Sequence, residues 1–238
     1  MEKAKKAFLF AAGFGSRMVP VTLDTPKPLV KVNGVRIIDT IIDALVEKGI
    51  DDITIVRGYK KERFDELLLK YPFLKFVDNN EYDKTNNISS AMKVIDELES
   101  CYILDSDLLI SNPDLIQEYP ECSNIVAHKV DSTDDWCLDM ESGYARNYRK
   151  GGKNCYQSVV LTYWDKNDSA KLREDLRKVW NSEGGRDVFW EFIPLVNCAS
   201  DFNVKIRECS ADDIIEIDNF YELVELDSSY EGYKVEGE

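Results

Sequence analysis

Between Ala11 and Val32 the chain reads AAGFGSRMVPVTLDTPKPLVKV, a stretch with two glycines, one arginine, two lysines and three prolines. Gly13 and Gly15 would let backbone N–H groups wrap an oligophosphate, while Arg17 and Lys27 neutralise its oxygens. Two better-known phosphate loops do not fit. A dinucleotide fingerprint needs a third glycine, where Gly15 is followed by Ser16, Arg17 and Met18, and the GK[ST] of a Walker A loop is absent. A glycine turn with solvated cations is the plain alternative; the added "SR" and "TPKPL" weigh against it.

Carboxylates supply a second chemistry. In YILDSDLL, Asp105 and Asp107 stand where an apolar strand opens into a loop. In IIEIDNF, Glu216 and Asp218 lie two apart, hence on one side of an extended backbone. Oxygen ligands of this kind suit magnesium, which keeps phosphate oxygens and water as its remaining ligands. A turn or cap is the ordinary use of Asp107, and Asp105 reads as structural. Aromatic residues beside acids form a third set: Trp136 next to Asp134 and Asp135, and Phe189 and Trp190 between Asp187 and Glu191. A quaternary ammonium has no N–H to donate, so aromatic faces and nearby carboxylates are what recognise it. Aromatics in an apolar helix are usually core, and helix geometry leaves about one of Phe189, Trp190 and Phe192 for a ligand. His128, the single histidine, reads as a strand residue.

The elements that must position these groups alternate through the first half. KAFLFAA, DDITIV, LKFVDN and CYILDSD read as strands, and RIIDTIIDALVEKG, KERFDELLLKY and NNISSAMKVIDELE as helices. The first helix carries Ile37, Ile38, Ile41, Ile42, Leu45 and Val46 on one face, with Gly49 as its stop. This order predicts an α/β fold with a doubly wound, mostly parallel sheet, whose ligands sit beyond the carboxyl ends of the strands. After Pro113 the pattern loosens. NIVAHKV, YARNYRK and YQSVVLTYW read as strands, the last two joined by a KGG turn; SAKLREDLRKVWNS and DVFWEFIPLV read as helices, and NVKIREC and DIIEI as short strands. One domain over 1–238 is expected, with a regular half at about 1–112 and an irregular half at about 113–238, which the resemblance described below makes the nucleotide-binding and acceptor-binding halves.

At 238 residues and 44% hydrophobic content there is enough apolar surface for a core. The net charge of −15 argues against nucleic acid or an anionic membrane as partner. The charge is uneven: residues 1–31 hold six cations against two anions, whereas ten carboxylates and one lysine follow Ser210. A basic glycine loop in an acidic chain points to a small polyanionic ligand and its metal. Six separated cysteines without a CxxC pair favour reduced thiols. The apolar stretch after the basic start is too short for a signal or a membrane span, so a cytoplasmic location is expected. The acidic end after Asp227 reads as a solvated, frayed tail.

AAGFGSR followed by TPKPLVKVNG resembles the signature of the nucleotidylyltransferases that activate phosphorylated sugars and alcohols with a nucleoside triphosphate. ALVEKGIDDITIVRGYKKERF, NNISSA, LDSD and IIEID follow in family order, and over nearly its whole length the chain looks most like the bacterial CTP:phosphocholine cytidylyltransferases. The resemblance implies a Rossmann-like fold and Mg²⁺ as cofactor. It implies that Arg17 and Lys27 hold the CTP phosphates, Lys27 also facing the transition state, within the loop of Ala11, Ala12, Gly13, Gly15 and Ser16. Asn86, Asn87 and Ser90 would lie near base and ribose, Asp107, Glu216 and Asp218 around the metal, and Trp136 with Asp187, Phe189, Trp190 and Glu191 around choline. Phe189 stands where a tyrosine, and Glu191 where an aspartate, is typical; phosphoethanolamine and 2-aminoethylphosphonate are therefore the alternative acceptors. A sugar-1-phosphate enzyme would need polar hydroxyl partners in place of the aromatics, and a noncatalytic relative would be expected to have lost Lys27 or Asp107. Both residues are present.

Overall fold

The computed structural model describes residues 2–233, so the last five residues of the acidic tail lie outside the described part. Strand β1 (Lys6–Ala11) leads into the glycine loop. A small ribbon, β2 (Lys31–Val32) and β3 (Val35–Arg36), then precedes helix α1 (Ile37–Glu47). Strands β4 (Ile53–Arg57) and β5 (Lys75–Asp78), helix α2 (Ile88–Lys93), and strands β6 (Cys101–Asp105) and β7 (Leu108–Ile110) complete the first half. The second half holds a long hairpin, β8 (Asn124–Glu141) and β9 (Tyr144–Trp164), then helix α3 (Lys166–Trp180), strands β10 (Lys205–Glu208) and β11 (Ile214–Glu216), and helix α4 (Phe220–Leu226).

The main sheet has seven strands in the order β10-β8-β9-β6-β1-β4-β5. β6, β1, β4 and β5 pair in parallel, and β10 runs parallel to β8. β9 runs antiparallel to β6 and to β8. The mostly parallel, doubly wound α/β sheet is thus observed, with an antiparallel hairpin joined to one side.

Along β1 the side chains alternate between two cores, as a two-residue period requires. Ala7, Leu9 and Ala11 pack with Ile38, Ile41, Ile42 and Leu45 of α1. Phe8 and Phe10 pack with residues of α2 and α3 on the opposite face. Val46, expected on the buried stripe of α1, is exposed; the stripe is narrower by one position. A third, smaller cluster joins Met18, Val21 and Val30 of the signature stretch to Ile217, Phe220 and Leu223. It fixes the C-terminal acids beside the loop.

Several expected elements differ. Lys61–Leu69 is a 3-10 run, consistent with the three-residue spacing of its buried side chains Phe64 and Leu67. The helix expected over 86–99 breaks after Lys93 and resumes as a turn at Ile95–Glu97. The hairpin turn is not at KGG. It is Ser142–Gly143, both with positive φ, the conformation a two-residue hairpin loop demands. Gly151 and Gly152 lie inside β9, opposite a register shift between Thr133 and Trp136. The helix expected over 187–196 reduces to one wide turn at Ile193–Asn197 with Pro194 in its first turn.

Candidate active site

The loop after β1 is built around one close approach. Gly15 has φ +69°, and a Cβ there would lie 3.1 Å from the Lys27 Cβ and 3.2 Å from the Thr22 Cγ2. A side chain at 15 is therefore strained by conformation and crowded by its neighbours. Thr22 Oγ1 donates to the Gly15 carbonyl at 3.0 Å, which ties the loop to the segment that carries Lys27. Pro26 and Pro28 flank Lys27 in a short 3-10 turn, Lys27–Leu29. Fixed φ at both neighbours holds the lysine stem in place.

Lys27 Nζ donates to Asp107 Oδ2 at 2.7 Å and lies 3.5 Å from Asp218 Oδ1. Arg17 clasps Asp218 through both terminal nitrogens, at 3.0 and 2.8 Å. Burial works against the Lys27 charge, but Asp107, Asp218 and Glu216 outweigh it and hold the ammonium above its ordinary range. β11 pairs antiparallel with β7, Glu216 opposite Leu108, and Ile217 N–H donates to the Asp107 carbonyl at 3.1 Å. That pairing carries two acids from the end of the chain to the end of β6. Asp107, Glu216 and Asp218 each present a carboxylate oxygen within 4.8 Å of the others. Burial, with Asp107 and Asp218 close by, pushes the Glu216 carboxyl well above the usual range. Asp105 is pushed the same way by burial and by Asp107. The Asp107 Oδ1 is buried without a partner. A crowded acidic trio with an unpaired buried oxygen is the donor set a hard divalent cation would satisfy.

Two clefts meet at this cluster, sharing Asn87, Asp105 and Asp107. One, of about 300 Å³, is lined by Ala11, Ala12, Gly13, Gly15, Lys27, Asn86, Asn87 and Ser90. Ser16 is exposed in the next turn and is not among its lining residues. Asn79, Tyr82 and Thr85 also line this cleft and were not singled out in the sequence. Asn79 is buried and donates to Ser89 Oγ at 2.8 Å and Ser90 Oγ at 3.2 Å. Its only sequence signal is a polar run, DNNEYDKTNN, at the end of a strand.

The second cleft, of about 550 Å³, holds Arg17, Trp136, Phe189 and Glu191 together with Glu216 and Asp218. Trp136 stacks on Tyr148, with ring centroids 5.4 Å apart, and meets Phe189 edge-on at 5.9 Å. Tyr148 and Lys150 also line this cleft; they lie on β9, whose pairing with β8 across the Ser142–Gly143 turn no local sequence signal marks. Glu191 is buried, and Asn87 Nδ2 donates to its Oε2 at 3.2 Å. Burial pushes the Glu191 carboxyl up to about 7. Two expected acceptor residues are elsewhere. Trp190 is fully buried against Phe10 and Trp164, because the broken helix turns it into the core. Asp187 is exposed, its backbone carbonyl accepting from Asn86 Nδ2 at 3.2 Å and its N–H donating to the Gly184 carbonyl at 3.1 Å. Asp105 lines both clefts, a more central place than a structural role predicts. His128 lies in β8, where burial lowers its pKa.

The family model described as nucleotidyl transferase matches residues 6–137, more than half of the chain. The chain belongs to the nucleotidyl transferase family. As an enzyme of this family it is 36% identical over 228 residues to a 2-aminoethylphosphonate cytidylyltransferase of Lancefieldella rimae, covering 94% of this chain and 92% of that one. It is 30% identical over 223 residues to a choline-phosphate cytidylyltransferase of Streptococcus pneumoniae, covering 93% and 96%. The solved structure of the CTP:phosphocholine cytidylyltransferase from Streptococcus pneumoniae superposes with a TM-score of 0.87 at 29% identity, covering 95% of this nucleotidyltransferase and 99% of the other chain. Among the described residues no helix is long and apolar enough to cross a membrane.

Proposed function

We propose that this nucleotidyltransferase moves the cytidylyl group of CTP onto a small acceptor with a phosphate or phosphonate at one end and an ammonium at the other. The observation that carries this reading is the joined pair of clefts, with the Lys27, Asp107 and Asp218 cluster between them. CTP occupies the cleft of the glycine loop, with its α-phosphate at the cluster, and the acceptor approaches from the Trp136 side. An acceptor oxygen attacks the α-phosphorus and pyrophosphate leaves. That nucleophile is already ionised near neutrality, so no general base is required. Lys27 neutralises charge on the reacting phosphate, and Arg17, at the acceptor side, draws the second anion in. Asp107, Glu216 and Asp218 would hold Mg²⁺, which supplies further neutralisation of phosphate oxygens when bound. Without substrates the two cations pair with Asp107 and Asp218, so the site is held in place before CTP binds.

Two acceptors compete. Phosphocholine, expected from the sequence, is supported by the two aromatic walls of Trp136 and Phe189, inclined at 64°. 2-Aminoethylphosphonate is supported by the buried Glu191 carboxylate, which accepts N–H hydrogen bonds that a trimethylammonium cannot give, and by the more similar of the two relatives compared. The primary amine is the first choice. The test follows pyrophosphate release with each nucleoside triphosphate against 2-aminoethylphosphonate, phosphoethanolamine, phosphocholine and glucose 1-phosphate. CTP with the aminoethyl acceptor should be fastest. Faster turnover with phosphocholine would transfer the proposal to choline, and turnover with the sugar phosphate alone would refute both.

A further inference from the structure

Cys137 in β8 and Cys155 in β9 are fully buried free thiols. They converge on Gly152: a Cβ at that position would lie 2.8 Å from Cys137 Sγ and 3.0 Å from Cys155 Sγ. The missing side chain leaves the space that the two sulfurs share. Two features set them apart from a core thiol such as Cys101. Arg149 Nη2, paired with Asp139 Oδ1 at 2.9 Å, lies 3.1 Å from the same point, so a guanidinium borders the sulfurs and can turn to a thiolate when the arm opens. The cover is also thin. Gly151 and Gly152 are themselves partly exposed, and Lys150, Lys153 and Asn154 around them are exposed. Opening such an arm requires only a local event.

We propose that Cys137 and Cys155 form a redox-modification site, a reversible disulfide made by exchange with a small-molecule disulfide, which controls the acceptor cleft. With the arm closed, burial and the neighbouring thiol hold Cys137 protonated, so exchange waits on opening. One cysteine, as thiolate, attacks a sulfur of the small disulfide; that S–S bond breaks, and one small thiol leaves from a mixed disulfide. The second cysteine, as thiolate, attacks the protein sulfur and displaces the second small thiol. Two protein thiols are oxidised, the small disulfide is reduced, and its two product thiols carry the two protons. Such a bond fits a transient, sensing role in a reducing compartment.

The consequence for the cleft follows from chain continuity and rests on the acceptor reading above. Trp136 precedes Cys137 and pairs with Lys150 across the hairpin. Drawing the sulfurs to bonding distance, about 2 Å, pulls Cys137 towards Cys155 and shifts Trp136 from its stack on Tyr148. The acceptor site should loosen while the CTP site stays as it is.

The test uses the full chain, treated with oxidised glutathione and then mapped by mass spectrometry without reduction. A Cys137–Cys155 linked peptide pair should form, and dithiothreitol should reverse it. The acceptor KM should rise about tenfold on oxidation while the CTP KM stays within about twofold, the scale of a misplaced binding group. Cys155→Ser should abolish the link and keep the KM values of untreated protein; Cys137→Ser is the second variant should the first not fold. Oxidation that reaches the partly exposed Cys122, Cys198 and Cys209 without linking this pair would overturn the site. A link that forms with the acceptor KM unmoved would overturn its control of the cleft. The link is read by mass, so it stands or falls even if the acceptor is not an amine.

Discussion

The two clefts are made in different ways. The nucleotide side lies at the ends of parallel strands, with Gly13 two residues beyond β1, Asn79 one beyond β5 and Asp107 two beyond β6. The acceptor side rests on a hairpin with register shifts, between Thr133 and Trp136 among others, and on the broken helix around Phe189. A regular scaffold suits phosphates, whose geometry does not vary among substrates, while an irregular arm can differ between enzymes that share the same transfer chemistry. Mutations on the two sides should therefore separate: those at the cluster should act on turnover, and those on the arm on acceptor KM.

The largest effect is expected at the junction. Lys27→Ala should lower kcat by roughly two to three orders of magnitude, the scale of losing one electrostatic stabiliser. Steady-state kinetics at saturating substrates check this, and circular dichroism checks that the fold is kept. A kcat within about threefold of wild type on that scale would remove Lys27 from the reaction.

Next is Trp136→Ala. Loss of a cation–π contact in a desolvated site is worth roughly 2 kcal/mol, so the acceptor KM should rise about thirtyfold, with the CTP KM nearly unchanged. Equal changes in both constants would show that the two clefts are not separable.

Glu191 sharpens the comparison through pH. Its carboxyl, pushed up to about 7, must ionise to meet an ammonium. The acceptor KM should therefore fall as pH rises through about 7 and level off above it, by about tenfold per unit on the acid side. The acceptor phosphate titrates nearby, at about 6. Glu191→Gln keeps that contribution and should lose only the higher one, at the cost of a raised KM at pH 8. An unaltered profile in the variant would clear Glu191 of contact with the amine.

The smallest effect concerns stability. The Glu216 carboxyl is raised well above its ordinary value by burial, with Asp107 and Asp218 beside it. A carboxyl raised by folding contributes stability at low pH that is lost as pH rises through its folded pKa, so at neutral pH the crowded trio strains the free protein. Glu216→Gln should raise Tm by about 2 to 4 °C in metal-free buffer, the shift that about 1 kcal/mol gives a chain of this size. It should also raise the Mg²⁺ concentration needed for activity. Differential scanning calorimetry with and without Mg²⁺ reads both; a lowered Tm would mean that Glu216 is structural.

Much of the nucleotide side was legible in the sequence because its residues are close together in the chain. Gly13, Gly15 and Lys27 fall within one stretch, and the alternation of strands and helices placed that stretch at a strand end. The acids at 216 and 218 were found as a pair, but their meeting with Asp107 depends on the β11–β7 pairing, a long-range contact that no local period encodes. The arm was misread for the same reason. KGG carries a stronger turn signal than Ser142–Gly143, yet the register of β8 against β9 decided which glycine turned the chain. Trp190 and Phe189 are adjacent residues with opposite fates, one in the core and one in the cleft; with the helix reduced to one turn at Ile193–Asn197, no local period tells which of them faces the ligand side.

The most direct test of attack by the acceptor oxygen on the α-phosphorus uses 2-aminoethylphosphonate with every phosphonate oxygen labelled with ¹⁸O. After incubation with CTP and Mg²⁺, mass spectrometry should find all of the label in the cytidylyl product, the bridging oxygen included, and none in pyrophosphate. Product that has lost one labelled oxygen, or label appearing in pyrophosphate, would contradict attack by the acceptor on the α-phosphorus.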